Sequence, residues 1–126
     1  MSTLPAYVHT DAAQISEAAS IVEAYGEMAK RNIKSMPVTS AGELVGIIYK
    51  HHIQGILDCT TDADALKVRD FMQKKFQFVE TADSLDDIAK VMIKNRISRL
   101  PVVGSAKKMD FVGVVTSTDV VLTKTE

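Results

Sequence analysis

The stretch ISRLPVVGSAKKMDFVGVVTSTD, residues 97–119, decides the fold of this chain. It contains two apolar segments, residues 100–103 and 111–116, which a polar turn separates, and it ends in a Thr-Ser-Thr-Asp corner. Valine, isoleucine and phenylalanine dominate the segments and favour strands. The stretch therefore predicts a β-hairpin whose second strand leads directly into a helix.

Most of this stretch occurs a second time, as IKSMPVTSAGELVGIIYKHHI at residues 33–53. Aligning Pro37 with Pro101 superposes the apolar pattern of the two first strands, and Gly46 then corresponds to Gly113 in the second strands. The difference in length falls in the polar turn, where insertions are best tolerated. The chain is therefore predicted to consist of two repeats, residues 1–60 and 61–126.

A helix is predicted before each hairpin. Apolar residues at helical spacing predict one helix over residues 11–30 and its counterpart over residues 84–94, where Ser84 begins a capping-box pattern. Residues 7–10 resemble residues 78–81, and both segments are predicted to be short strands. This match leaves seven extra residues in the first copy, about two helical turns, and predicts that the first helix is extended at its start.

The segments after the hairpins are also predicted to be helical. Helices are expected over residues 50–57 and 118–124. Residues 59–62 are the candidate joint between the copies, and a short helix over residues 65–72 is expected to follow it. Pro37 and Pro101 cannot donate a backbone hydrogen bond, so each is expected at a strand start or a sheet edge.

Composition limits the kind of protein. A chain of 126 residues, 46% hydrophobic and 25% charged, is the size of one ordinary soluble domain. A net charge of −1 argues against a nucleic-acid partner that would be bound through an overall positive field. The N-terminus lacks a secretory signal and no apolar run is long enough for a membrane helix, so a cytoplasmic protein with no membrane partner is expected.

No catalytic or metal motif is present in the sequence. There is no Walker loop, no Gly-x-Gly-x-x-Gly and no HExxH. His51 and His52 are adjacent on a predicted helix and diverge by about 100°, which makes them a poor metal pair. Cys59 is the single cysteine and has no recognisable base to activate it. The sequence therefore predicts neither an enzyme nor a bound metal or cofactor.

One copy alone cannot cover its hairpin and helix faces. The two copies are therefore predicted to pack about a pseudo-twofold axis into one compact module of the α/β (α+β) class, with clefts between the copies that suit small ligands.

The repeated unit resembles the cystathionine β-synthase (CBS) domain. The resemblance lies in the order of a helix, a strand with Pro-Val, a turn, a Val-Gly-Val-Val-Thr strand and a Thr-Asp ending. The resemblance covers nearly the whole chain as a tandem pair, and residues 68–72 resemble the entry to a second repeat. It implies βαββα repeats, frequent homodimerisation, and binding of an adenosine compound: AMP, ADP, ATP, S-adenosylmethionine or NADH.

The resemblance also implies a set of nucleotide-binding residues. They are Asp119, Thr116, Thr118, Ser117, Val114, Arg99, Ser98, Ile33, Lys34, Thr10, His9 and Val8. Asp119 is expected to accept both ribose hydroxyls, the hydroxyl residues to approach ribose or phosphate, and Arg99 to bind phosphate. Ser98 stands where some nucleotide-sensing relatives have histidine. The adenine slot is expected between the remaining residues of both copies.

Two alternatives stay open at this point. Thr-x-x-Asp is also a helix capping box, so Asp119 has a purely structural interpretation as well. At the equivalent site of the first copy, Tyr49 and His52 replace the threonine and the aspartate, so a single competent nucleotide site is predicted. The chain is then a ligand-sensing regulatory module that signals to an unidentified effector protein; the alternative is a structural dimerisation or interaction module without bound nucleotide.

Overall fold

Each repeat forms a three-stranded sheet with helices in the computed structural model, which describes residues 5–124. The chain divides into two compact units. The first unit is Ala13–Phe76, and the second unit combines the residues up to Ala12 with those from Gln77 onward. The predicted mixed α/β class is confirmed, whereas the repeat boundaries 1–60 and 61–126 stay a prediction about the duplication.

The first unit contains three strands, two α-helices and two short 3₁₀ helices. In chain order they are β1 (Ile15–Ser16), α1 (Ile21–Arg31), β2 (Ser35–Ser40), β3 (Glu43–Tyr49), α2 (Lys50–Leu57) and the 3₁₀ helices Ala63–Ala65 and Val68–Asp70. The central strand β2 pairs parallel with β1 and antiparallel with β3. In the β2–β3 turn Ala41 and Gly42 have φ of 51° and 85°, so the glycine provides the left-handed conformation that the sequence predicts there.

The second unit repeats this arrangement. Its elements are β4 (Val79–Glu80), α3 (Leu85–Asn95), β5 (Arg99–Val103), β6 (Phe111–Thr116) and α4 (Ser117–Lys124). β5 is central, parallel to β4 and antiparallel to β6. Both hairpins, the helix over 50–57 and the start of α3 at a Ser84 cap agree with the sequence; the Ser84 hydroxyl accepts the Asp87 N–H at 3.1 Å.

The prediction of a long first helix from residue 11 is wrong. Helix α1 begins at Ile21 because Ser20 caps it, accepting the Glu23 N–H at 3.1 Å. Ile15 instead lies in β1, paired with Val38 as Val79 is paired with Val102. The repeats therefore align without a gap in this region, and strand pairing outweighs the helical spacing of the apolar residues. Residues 7–10 are not the counterpart of residues 78–81.

The short helix predicted over residues 65–72 is also wrong. Two 3₁₀ helices, Ala63–Ala65 and Val68–Asp70, occupy the region instead. The Val68 and Arg69 N–H groups donate to the carbonyls of Ala19 and Glu17, at 2.9 and 3.0 Å. Because these donors bind the loop before α1, they are not available for a continuous α-helix.

The two prolines lie inside central strands, and the prediction of a strand start or edge is wrong. Pro37 pairs with Ile47, whose N–H and C=O both bond Gln73 on the far side of β3. Pro37 is therefore in a pair that exchanges no hydrogen bonds with β3. Strand β1 pairs only from Val38 onward, so the missing proline N–H leaves no ladder bond unmade.

Each unit has its own apolar core. Buried core residues of the first unit are Ala13, Ile15, Ile21, Ala24, Met28, Met36, Val38, Ile48, Ile53 and Val68. Those of the second unit are Val8, Val79, Ile88, Met92, Leu100, Val102, Val115 and Val120. Val8, from the N-terminal segment, thus belongs to the core of the second unit. Within residues 5–124, no helix has the length and apolar character needed to cross a membrane.

Candidate functional site

The corner between β6 and α4 is a reciprocal capping box. The Asp119 N–H donates to Thr116 Oγ1 at 3.3 Å, while Asp119 Oδ2 accepts the Thr116 N–H at 3.1 Å. The Thr116 hydroxyl also donates to Oδ2. The structural interpretation of Thr-x-x-Asp is therefore present in the molecule, and it fixes the carboxylate at the start of α4.

A third donor reaches the same carboxylate oxygen. His9 Nε2 lies 2.8 Å from Asp119 Oδ2; the His9 side chain is 50% exposed and that of Asp119 21%. Partial burial raises the pKa of the Asp119 carboxyl, but hydrogen bonds from the Thr116 hydroxyl, the His9 ring and the Thr116 N–H, together with the charge of His9, outweigh it and lower that pKa below its usual range. Asp119 is therefore held as a carboxylate.

The backbone of the N-terminal segment, defined here as residues 5–12, places His9 over this corner. His9 and Val114 exchange two hydrogen bonds across an antiparallel bridge, at 2.8 and 3.1 Å. A Cβ on Gly113 would lie 2.4 Å from the His9 carbonyl oxygen, so only glycine permits this approach. Val8 is 9% exposed and anchors the segment in the core.

The start of β5 lies beside the same corner. Arg99 is in register with Thr116 on β6, and the Ser117 N–H donates to the Ser98 carbonyl at 2.8 Å. Arg99 is half-buried and forms no ion pair with any residue between 5 and 124. Arg99 thus lies on the strand beside the start of α4, and its charge has no counter-ion within residues 5–124.

An open depression of about 260 Å³ adjoins this region. Its lining residues are Met92, Ile93, Arg96, Ile97, Ser98 and Ser117. The predicted site residues Ser98 and Ser117 therefore form one side of a concave surface at the N-terminal end of α4.

The structure brings most of the predicted site residues into one unit. Those in the second unit are Val8, His9, Thr10, Ser98, Arg99, Val114, Thr116, Ser117, Thr118 and Asp119. Thr10 and Thr118 are exposed, whereas Val114 is 1% exposed and presents its backbone to His9. Ile33 and Lys34 belong to the first unit, and their role in an adenine slot stays a prediction.

The equivalent corner of the first unit has a different chemistry. Tyr49 precedes α2 without a side-chain cap, and the ring of His52 lies edge-on to Phe71 with centroids 6.3 Å apart. Gln73 bridges Ile47 as His9 bridges Val114, with backbone hydrogen bonds at 3.0 and 2.8 Å. The backbone is thus the same in both units, but only the second unit has an aspartate there, as the sequence predicts.

Sequence reasoning missed the contact between His9 and Asp119. Both residues were candidates, but 110 positions separate them and no local pattern pairs them. The one available signal was the glycine at the same place in both repeats, Gly46 and Gly113, which indicates close approach of another backbone. In the described part of the chain, no cluster of three or more His, Cys, Asp or Glu side chains is arranged to hold a metal ion.

A protein-family model described as the CBS domain matches the chain twice, over residues 6–58 and 68–124. The chain belongs to the CBS domain family. The family resemblance stated from the sequence is confirmed, with two CBS repeats that each contain a small sheet and helices.

Comparison with individual proteins gives the same family. Inosine-5'-monophosphate dehydrogenase of Thermoplasma acidophilum is 33% identical over 94 residues, which are 75% of this CBS chain and 18% of that enzyme. The chain matches less than a third of the length of the curated relatives that it resembles. That dehydrogenase carries the matching region within an enzyme, whereas the matched part of this chain is a CBS pair.

Solved CBS structures have the same fold. The CBS domain pair of protein MJ0100, solved with 5'-methylthioadenosine and S-adenosyl-L-methionine, is 27% identical with a TM-score of 0.72, and the match covers 94% of this chain and 92% of that one. CBSX2, solved in complex with AMP, is 19% identical with a TM-score of 0.76, covering 94% and 93%. The second likeness, at this low identity, concerns the fold alone.

Proposed function

We propose that this CBS pair is a ligand-sensing regulatory module that binds an adenosine compound at the corner formed by Thr116 and Asp119. One observation carries the proposal. Asp119 is held as a carboxylate whose Oδ2 accepts three internal hydrogen bonds, while its Oδ1 accepts none from residues 5–124. An ionised oxygen with free lone pairs, on a side chain that is 21% exposed, is a ready acceptor for a sugar hydroxyl.

The class of ligand is supported by the relatives. MJ0100 was solved with 5'-methylthioadenosine and S-adenosyl-L-methionine, and CBSX2 with AMP. These compounds share an adenosine moiety and differ beyond the ribose. The candidates for this chain are therefore AMP, ADP, ATP, S-adenosylmethionine and NADH, which share the ribose that Asp119 would bind.

The remaining contacts divide between ribose and phosphate. Ser117, Thr118 and the first N–H groups of α4 would face an anionic group, because a helix N-terminus carries positive potential. Arg99 would supply a forked donor for paired phosphate oxygens. Val8, Thr10 and Val114 would lie nearest the base, and Ser98 nearest the phosphates.

Signalling follows from differential affinity. A ligand shifts a conformational equilibrium by the difference between its affinities for two states, and a coupling of about 1–3 kcal/mol is typical of allosteric proteins. The module would pass this shift to an effector protein.

Calorimetric titration with AMP, ADP, ATP, S-adenosylmethionine and NADH tests the proposal. We expect at least one compound to bind, and Asp119→Asn to weaken its binding by at least about ten-fold, because a hydrogen bond to a charged group contributes about 1.5–3 kcal/mol. Asp87→Asn is the matched control: Asp87 occupies the corresponding first-turn position of α3 and its N–H is capped in the same way.

Equal loss of binding in Asp119→Asn and Asp87→Asn would contradict a specific role for Asp119. If none of the five compounds binds the wild-type chain, the protein is instead a structural dimerisation or interaction module.

We also propose that the chain forms a homodimer through α3 and α4. Ile93 is 78% and Val121 59% exposed on these two helices, which contact each other, and a second copy packed on this face would remove both side chains from water. Ile93→Glu is expected to shift sedimentation equilibrium towards monomer. Val22→Glu, at a 39% exposed valine of α1, is the control and is expected to leave the mass unchanged. A wild-type chain that sediments as a monomer at every concentration would refute the dimer.

A further inference from the structure

The imidazole of His9 is hydrogen-bonded to the Asp119 carboxylate, the group proposed to bind ribose. Its Nε2 lies 2.8 Å from Asp119 Oδ2, the oxygen that also accepts from the Thr116 N–H and hydroxyl. A neutral imidazole protonated at Nε2 and an imidazolium can both donate this bond. The oxygen thus carries three donors before any ligand arrives.

The position of His9 is set by its backbone and not by the imidazole contact. Two hydrogen bonds join His9 to Val114, and Val8 is packed in the core of the second unit. Gly113 leaves room for the His9 carbonyl and the Val8 side chain. The backbone can therefore stay in place while the half-exposed imidazole turns away from the carboxylate.

The two hydroxyls of a ribose are best held by both oxygens of a carboxylate, one hydroxyl on each. Oδ1 is available for one of them, but Oδ2 already has the Thr116 contacts that cap α4 and the His9 contact. The Thr116 donors are part of the helix cap, so His9 is the donor that has to leave. Ligand binding at Asp119 and the His9 contact then exclude each other.

We propose that His9 is a built-in competitor for the Asp119 carboxylate, so that nucleotide binding requires its imidazole to be displaced. This inference rests on the proposed function, because it concerns the same site. His9 thereby lowers the affinity of the site and couples its occupancy to the orientation of the His9 imidazole.

The first unit lacks this competition. Gln73 has the same backbone bridge, to Ile47, but its side chain forms no hydrogen bond with residues 5–124, and His52 replaces the aspartate. Gln73 therefore provides a natural matched control in which the same backbone position carries a side chain without a carboxylate partner.

The test is calorimetry of the full chain with the compound that binds best, for wild type, His9→Ala and Gln73→Ala. We expect His9→Ala to bind about five-fold more tightly, which is the change that corresponds to a net contribution of about 1 kcal/mol for one hydrogen bond. Gln73→Ala is expected to bind as wild type does.

The His9 ring signals in NMR provide a second readout that a change in folding would not mimic. In the ligand-free wild type, the chemical shifts of these signals at one fixed pH should differ from those in Asp119→Asn, because the imidazole contacts the carboxylate. On saturation with ligand, they should move towards the values in Asp119→Asn. Displacement of the imidazole from the carboxylate is the event that this shift reports.

The outcomes separate the two proposals. If wild type binds and His9→Ala binds equally or more weakly, the competition is refuted and the proposed function stands. If neither binds any of the five compounds while the ring signals show the contact with Asp119, the proposed function fails and the competition with it.

Discussion

Two glycines show how single residues determine the arrangement at the corner. Gly113 and Gly46 stand at the same position of the two repeats, and each faces a segment that bridges the edge strand of its unit. A Cβ on Gly113 would meet the His9 carbonyl oxygen at 2.4 Å, whereas one on Gly46 would first meet the flexible Met72 side chain, at 2.7 Å from its sulfur. The methionine side chain can change its rotamer to make room for a Cβ, whereas the His9 carbonyl oxygen is held by the backbone.

We therefore expect Gly113→Ala to lower the free energy of unfolding by about 1–3 kcal/mol, as overpacked sites do. Gly46→Ala should have a smaller effect. Gly55→Ala is the control: a Cβ at this position would meet nothing within 4 Å, and alanine stabilises an exposed helix position by about 0.5–1 kcal/mol. Urea unfolding measures all three; equal stability of Gly113→Ala and Gly55→Ala would mean that the N-terminal segment does not lie against β6.

At the scale of elements, the sequence predicts the start of a helix where a local capping pattern marks it. The prediction is wrong where the pairing of distant strands decides the secondary structure. Ser84 was recognised as the start of α3 because its hydroxyl and the following acids form a local pattern. The equivalent Ser20 caps α1, but apolar residues upstream of it also fit helical spacing and concealed the boundary. Only the pairing of Ile15 with Val38 identifies that upstream segment as a strand.

The N-terminal segment illustrates the same limit. Residues 7–10 have strand-like composition, and His9 does form a bridge, but with Val114 in the second unit. The chain positions that meet there are more than a hundred residues apart. Composition can indicate that a segment is extended, but it does not indicate which sheet edge the segment pairs with.

At the scale of the whole molecule, the two repeats share their backbone hydrogen bonds but carry different side chains at the corner before the last helix of each unit. The Ser117 N–H bonds the Ser98 carbonyl at 2.8 Å in the second unit, and the Lys50 N–H bonds the Lys34 carbonyl at 2.9 Å in the first. Thr116 and Asp119 correspond to Tyr49 and His52. A neutral histidine cannot replace the two acceptor oxygens of a carboxylate, so we expect one bound nucleotide per chain.

The double variant Tyr49→Thr/His52→Asp would install the missing capping box at the start of α2. We expect calorimetric stoichiometry to rise from about one towards two, because the backbone that holds Asp119 is already present in the first unit. Tyr49→Thr alone is the control and should leave the stoichiometry unchanged. A stoichiometry that stays at one in the double variant would show that residues beyond this corner limit binding.

The sequence by itself determined the duplication, both hairpins, the family and the asymmetry of the two corners, because turn chemistry, strand composition and the identity of residues 116 and 119 are local properties. The tertiary structure decided where α1 begins, why Pro37 and Pro101 are tolerated in central strands, and that His9 meets Asp119. These depend on which backbone edges pair, and such pairing joins segments that no short-range pattern connects.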